Sequence, residues 1–176
     1  MNEKPITVIG IFAAAWGFIG LLLLLGFAVW RLGTHSIEAF QMPLNWLHWL
    51  VFIIFFVFMA YSEGYKGFQK SFSPRFAVRT KYLLRNASVI QLLLAPLFCM
   101  SYFHAPKKRV IATFTLTTMI IVFILSFRFV PQPWRGLLDA GVVAGLIWGM
   151  IASVLFCIKA FTDDHFSWDA EVLETT

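Results

Sequence analysis

The chain has 176 residues, of which 60% are hydrophobic, 18% aromatic and 13% charged. A soluble domain carries roughly 25% charged residues, so this composition excludes an ordinary soluble protein and favours a surface that faces lipid. The formal net charge is +5. Because the basic residues flank apolar segments, we interpret this charge as contact with anionic lipid and not with nucleic acid.

Five apolar segments have about the length that a helix needs to cross a bilayer, which is roughly 20 residues. In chain order they cover residues 6–30, 44–61, 87–103, 110–127 and 137–161. The third segment is the weakest, because Gln91 and Pro96 fall inside it. The sequence therefore predicts an all-α integral membrane protein with five transmembrane helices in one domain, residues 1–161. Residues 162–176 are acidic and carry no Lys or Arg, and we expect a flexible, solvated tail.

The distribution of Lys and Arg leaves a second topology open. Five spans place nine of these residues on the side of the N-terminus and five on the other side. If the third segment breaks at Pro96 and returns to the same side as a re-entrant segment, the counts become eleven and three. Charge favours four spans, whereas hydropathy favours five, and re-entrant backbone must be shielded by protein or water. We expect five spans, with the N-terminus in the cytoplasm and the chain in a bacterial inner membrane.

The second and third segments are joined by a basic, aromatic stretch, residues 61–85. Ser73 followed by Pro74 is typical of a helix start, so we expect a turn at about residues 70–73. We interpret the stretch as a cytoplasmic loop that binds an anion or a lipid headgroup, with Glu63 orienting Lys66 or an arginine. The alternative is that its cations only orient the protein in the membrane. The candidate binding residues are Glu63, Lys66, Lys70, Arg75, Arg79, Lys81 and Arg85.

Two further patterns lie in the last apolar segment. Asp139 is an acid at the start of a membrane segment, which an ion pair with Arg128 or Arg135 would explain, with proton or ion handling as the alternative. Small residues also recur every four positions and predict close helix packing, within the chain or with a second copy. These small residues are Gly141, Gly145, Gly149 and Ser153.

The sequence contains no recognisable catalytic or metal-binding motif. We therefore expect a non-enzymatic scaffold or accessory protein, without a cofactor, that contacts anionic lipid, another membrane protein or an acidic partner. One alternative is a quinone-linked redox protein in which His48 and His104 hold a b-type haem. Another is an enzyme or carrier that acts on an anionic lipid at the basic stretch.

Overall fold

The computed structural model describes residues 5–163, 166 and 168–172. Over these residues the protein is all-helical and has no strand, as the sequence predicts. Four of the described helices are long and apolar enough to cross a membrane, and one of them, Trp46–Asn86, contains a π-helix that we call the π segment. The elements are α1 (Val8–Phe40), α2 (Trp46–Met59), the π segment (Ala60–Phe72), α3 (Ser73–Asn86), α4 (Val89–Leu93), α5 (Ala95–Cys99), α6 (Lys107–Phe127) and α7 (Trp134–Thr162).

The contacts of α1 fix the direction of the other long helices. Thr7 caps α1 by accepting a hydrogen bond from the Gly10 N–H at 3.0 Å, and its own N–H donates to the carbonyl of Leu84 at 3.1 Å. At the other end of α1, the backbone of His35 lies against Gly136. Helix α1 is therefore antiparallel to both α3 and α7. We call the end where α1 begins and α3 and α7 finish the basic end, and the other end the opposite end.

The core lies toward the basic end, between α1, α3, α5 and the last turns of α7. Small residues on α1 allow these helices to approach, because a Cβ at Gly10 would collide with the carbonyl of Leu84. Large side chains fill the space between the helices, among them the fully buried Phe76 of α3 and Phe98 of α5. This packing positions α3, with its arginines, beside apolar helices.

The predicted third span is not a single helix. It divides into α4 and α5, of five residues each, with a break at Leu94 (φ −106°, ψ 26°). Pro96 explains the break, because proline lacks the N–H that would bond the carbonyl of Leu92, four residues earlier, and its ring crowds that carbonyl. The ring of Pro96 reaches Gly20 of α1, and the chain then returns to the basic end, where α6 begins. Five spans are therefore not confirmed, and the four long helices match the alternative.

Helix α6 stands apart from the rest of the bundle. None of its residues is buried. It is linked to the preceding turn by the hydroxyls of Tyr102 and Thr117, 2.6 Å apart, and by Thr113, which donates to the carbonyl of Met100 at 3.3 Å. It runs from the basic end to the opposite end and exposes apolar side chains all around.

Candidate functional site

The basic, aromatic stretch continues the second long helix, which corrects the predicted turn at residues 70–73. Helical dihedral angles run through Phe72 (φ −76°, ψ −55°) and Ser73 (φ −61°, ψ −40°). The hydroxyl of Ser73 does not cap a new helix. It lies 3.0 Å from the hydroxyl of Ser153 in a buried contact with α7. The stretch is therefore packed along α7 and is not a projecting loop.

The π segment sets how this helix meets α7. In a π-helix each N–H bonds the carbonyl five residues earlier, as the N–H of Ser73 does with the carbonyl of Phe68. Positions five residues apart, 63, 68 and 73, then share one face. They contact α7 positions that are four residues apart, Gly145, Gly149 and Ser153.

The small residues predicted to pack closely are all buried in this contact. Gly141 lies against Phe55 and Met59 of α2. A Cβ at Gly149 would lie 2.5 to 2.6 Å from atoms of the Phe68 ring. This face of α7 is thus filled by the second long helix of the same chain.

Glu63 and Lys66 do not form the predicted pair. The side chain of Glu63 faces Gly145 of α7, whereas the ammonium of Lys66 lies 5.0 Å from the ring centre of Tyr61. One turn further, the ammonium of Lys70 lies 4.7 Å from the ring centre of Tyr65. Both lysines are exposed, so the two cation–π pairs lie one turn apart on the outer face of the π segment.

Arg75 is turned toward its own helix. Its Nε donates to the carbonyl of Ser71 at 2.7 Å, and its Nη2 donates to the Ser71 hydroxyl at 2.8 Å. The side chain is half-buried, and its hydrogen bonds are local. Arg75 therefore contributes charge to the basic end without linking α3 to another helix through these bonds.

Arg79 is buried, with 1% of its surface exposed, and this contradicts its assignment to an anion site. Its guanidinium stacks on the ring of Phe98, 4.2 Å from the centre. Backbone carbonyls at the C-terminal ends of helices attract cations, and here several backbone carbonyls accept hydrogen bonds from the guanidinium of Arg79. The acceptors are the carbonyls of Phe98 (2.8 Å), Phe103 (2.9 Å), His104 (3.3 Å), Ala170 (3.1 Å) and Glu171 (3.4 Å).

Lys81, Arg85 and Asn86 come together at the last turns of α3. They line a cavity of about 210 Å³ at the basic end. Two cations and an amide beside a small cavity suit an anionic group such as a phosphate. The remaining wall is formed by Val78, Tyr82 and Ala170.

The acidic tail folds back to the basic end where the structure describes it. The carboxylate of Glu171 accepts hydrogen bonds from Nε and Nη2 of Arg109, at 2.8 and 3.2 Å. Phe166 packs on Phe156 and beneath the ammonium of Lys159. The described part of the tail is thus docked and not solvated as predicted. Residues 164–165, 167 and 173–176 lie outside the described residues.

Asp139 is 3% exposed and has Arg135 as its partner, with 3.8 Å between Oδ2 and Nε. Nη2 of Arg135 also lies 3.1 Å from Nε2 of His35, a contact that the sequence analysis did not anticipate. Since arginine only donates, Nε2 of His35 accepts. Arg128, the other predicted partner, is exposed at the end of α6.

His48 and His104 are not brought together. His48 packs edge-to-face against Trp134 at the start of α7, with ring centres 4.5 Å apart, and its Nδ1 accepts from the Asn45 N–H. His104 lies beside Phe98 at the other end of the bundle. The 29 residues of α7 span about 40 Å, so in this arrangement the two rings cannot flank one haem iron.

The described residues hold no group of three or more His, Cys, Asp or Glu side chains that could bind a metal ion. Cys99 is buried, with 1% of its surface exposed. Its sulfur lies 3.5 Å from the hydroxyl of Thr80. Cys99 is therefore a packing residue of α5.

The chain matches no protein-family model, no curated protein and no solved structure. Its function has to be inferred from its own geometry. The most distinctive surface is the basic end, where cations of α3, α6 and α7 gather and Arg109 pairs with Glu171 of the tail.

Proposed function

We propose that the chain is a transmembrane protein with four spans and a re-entrant segment, residues 87–106, and that it serves as a scaffold or accessory subunit. The proposal is supported by the four long apolar helices and by the return of α5 to the basic end after its contact with α1. Close packing of α4 and α5 against α1 supplies the shielding that re-entrant backbone requires.

We infer that the basic end is cytoplasmic. Eight basic residues lie at this end: Arg75, Arg79, Lys81, Arg85, Lys107, Lys108, Arg109 and Lys159. Three lie at the opposite end: Arg31, Arg128 and Arg135. Lys and Arg near span ends concentrate on the cytoplasmic side of a membrane. We therefore infer that both termini lie on the cytoplasmic side of a bacterial inner membrane.

We further propose that the basic end binds the headgroup of an anionic phospholipid. The observation that carries this proposal is the cavity beside Lys81, Arg85 and Asn86. Lys66 and Lys70 do not line this cavity, so the proposed site does not include them.

Paired reporters, one active in the cytoplasm and one in the periplasm, test the topology when each is fused after Thr176. We expect activity of the cytoplasmic reporter. Activity of the periplasmic reporter would contradict four spans with a cytoplasmic N-terminus. A fusion after Val130, between α6 and α7, is the matched control, because it should report the periplasm.

Thermal unfolding in a mild neutral detergent tests lipid binding. Phosphatidylglycerol should raise the Tm of the protein more than phosphatidylcholine does, and the doubly substituted variant Lys81→Gln with Arg85→Gln should lose this difference. The matched control, Arg31→Gln with Arg128→Gln at the opposite end, should keep it. Equal effects of the two lipids on the wild type would reject lipid binding, and selective recovery of an acidic protein with the wild type alone would then favour a protein partner.

A further inference from the structure

Glu63 lies beside the apolar part of α7, about a third of the way along it from its start. A Cβ placed on Gly145 would be 3.2 Å from the Cβ of Glu63 and 3.4 Å from its Oε2. Gly145 follows Leu137, the start of that apolar segment, by eight residues, and precedes Phe161, its end, by sixteen. At 1.5 Å per residue, Glu63 is about 12 Å inside the nearer boundary.

Glu63 takes part in none of the ion pairs found among the described residues. On its own helix, Lys66 is stacked on Tyr61 and Arg75 is bonded to Ser71. The hydroxyl of Ser62, its neighbour in sequence, donates to the carbonyl of Phe58. The local polar groups are thus engaged elsewhere.

The helices packed against the π segment also present no charge to Glu63. Between Asp139 and Cys157, α7 contains no titratable residue. The only titratable residue of α2 is His48, fifteen positions before Glu63 and packed edge-to-face against Trp134. The half-buried side chain of Glu63 therefore faces Gly145 on a stretch of α7 without titratable residues.

An ionised carboxylate in an apolar medium is strongly disfavoured without a partner, so the group takes up a proton. We propose that Glu63 is a proton-binding site between the π segment and α7, neutral at physiological pH. Loss of the proton leaves an unpaired anion against Gly145 and loosens this helix contact. The inference rests on the membrane insertion proposed above.

An apolar carbodiimide, dicyclohexylcarbodiimide, tests the proposal on the full-length protein in phosphatidylcholine vesicles. This reagent takes the carboxyl proton onto a nitrogen while the carboxyl oxygen adds to its central carbon, so it modifies protonated carboxyls. Mass spectrometry of peptides should show at least tenfold more adduct on Glu63 than on Asp139, which is paired with Arg135, or on the exposed Glu38. Recovery of the Glu63 peptide without adduct, or with no more than Glu38 carries, would overturn the proposal.

The pH dependence of thermal unfolding supplies a second test. A carboxyl group that is protonated in the folded protein and ionised when unfolded stabilises the fold at low pH, and this contribution is lost as the pH rises. The Tm of the wild type should fall between pH 6 and pH 9 more than that of Glu63→Gln, whose amide stays neutral. The control variant Glu38→Gln should follow the wild type, and identical profiles for all three would reject the site.

The two proposals fail separately. A periplasmic C-terminus would reject the four-span topology whatever the labelling shows. Cytoplasmic termini together with an unlabelled Glu63 would leave the topology intact and reject only the proton site.

Discussion

The hydroxyl oxygens of Ser73 and Ser153 lie 3.0 Å apart, and both residues are fully buried. This hydrogen bond joins α3 to α7, eighty residues further along the chain. In the sequence, Ser73 followed by Pro74 instead predicts a helix cap. Buried polar groups need hydrogen-bond partners, and here the hydroxyl of each serine is the partner of the other.

This pairing predicts non-additive effects of alanine substitutions. Either Ser73→Ala or Ser153→Ala leaves one buried hydroxyl unpartnered and should lower the free energy of unfolding by about 1 to 2 kcal/mol. The double variant should recover about 1 kcal/mol relative to the sum of the single effects. Denaturant unfolding of the four proteins in detergent measures this coupling, and strictly additive effects would argue against the bond.

A second prediction concerns the glycine face of α7. Gly149→Ala should destabilise the protein by about 1 to 3 kcal/mol, because the added methyl group meets the Phe68 ring. Gly26 of α1 has no neighbour within 4 Å of an added Cβ, so Gly26→Ala should instead be neutral or stabilise the helix by up to about 1 kcal/mol. Thermal unfolding of the two variants distinguishes them, and equal effects would place Gly149 outside a close contact.

Replacement of Arg79 should affect folding more than lipid binding. Arg79→Gln removes the buried guanidinium from several carbonyls, and we expect a loss of about 3 kcal/mol in the free energy of unfolding. Arg75→Gln, a change of the same charge one turn away, should cost less than about 1 kcal/mol. A stable Arg79→Gln protein that has lost its response to phosphatidylglycerol would restore Arg79 to the binding site.

The tail contact predicts protection from proteolysis. Arg109→Gln removes the ion pair with Glu171, and the segment after α7 should then be cleaved several-fold faster in limited proteolysis. Lys108→Gln removes the neighbouring charge and serves as the control, with wild-type cleavage expected. Salt should speed cleavage of the wild type toward the rate of the variant, because ions screen exposed charge pairs.

Thiol labelling provides a prediction about the core. Cys99 and Cys157 are buried, so a maleimide should label the native protein slowly and the unfolded protein fully. A cysteine introduced at the exposed position 108 should react at once. Fast labelling of the native wild-type protein would show that the core around α5 opens readily.

Much of the helix pattern could be predicted from the sequence, because apolar segments of membrane length are strong signals. The segments at 110–127 and 137–161 fall within long helices of the structure, and those at 6–30 and 44–61 begin two residues before theirs. Helix α1 extends beyond the predicted segment 6–30, because the polar residues after Arg31 continue the helix to Phe40. Their helical state depends on tertiary contacts, among them that of His35 with Arg135.

The third segment shows where hydropathy alone fails. Its apolar content favours a membrane span, whereas Pro96 and the count of Lys and Arg favour a return to the same side. In the structure, α4 and α5 return to the basic end. Charge distribution and proline position carried information about the path of the chain that average hydropathy does not contain.

The candidate site was predicted only in part. The concentration of cations was visible in the sequence, but the roles of individual residues were not. Arg79 and Arg85 look equivalent in sequence, yet one is buried among carbonyls and the other lines a cavity. The contact between Arg109 and Glu171 joins residues 62 positions apart and has no local sequence signal.

The π segment makes the number of residues between α2 and α3 as important as their identity. Each residue turns an α-helix by about 100°, so deleting one residue between positions 60 and 72 would rotate everything that follows. Ser73 would turn away from Ser153, and Arg79 away from its carbonyls. Natural variants of this protein should therefore exchange side chains in this segment while conserving its length.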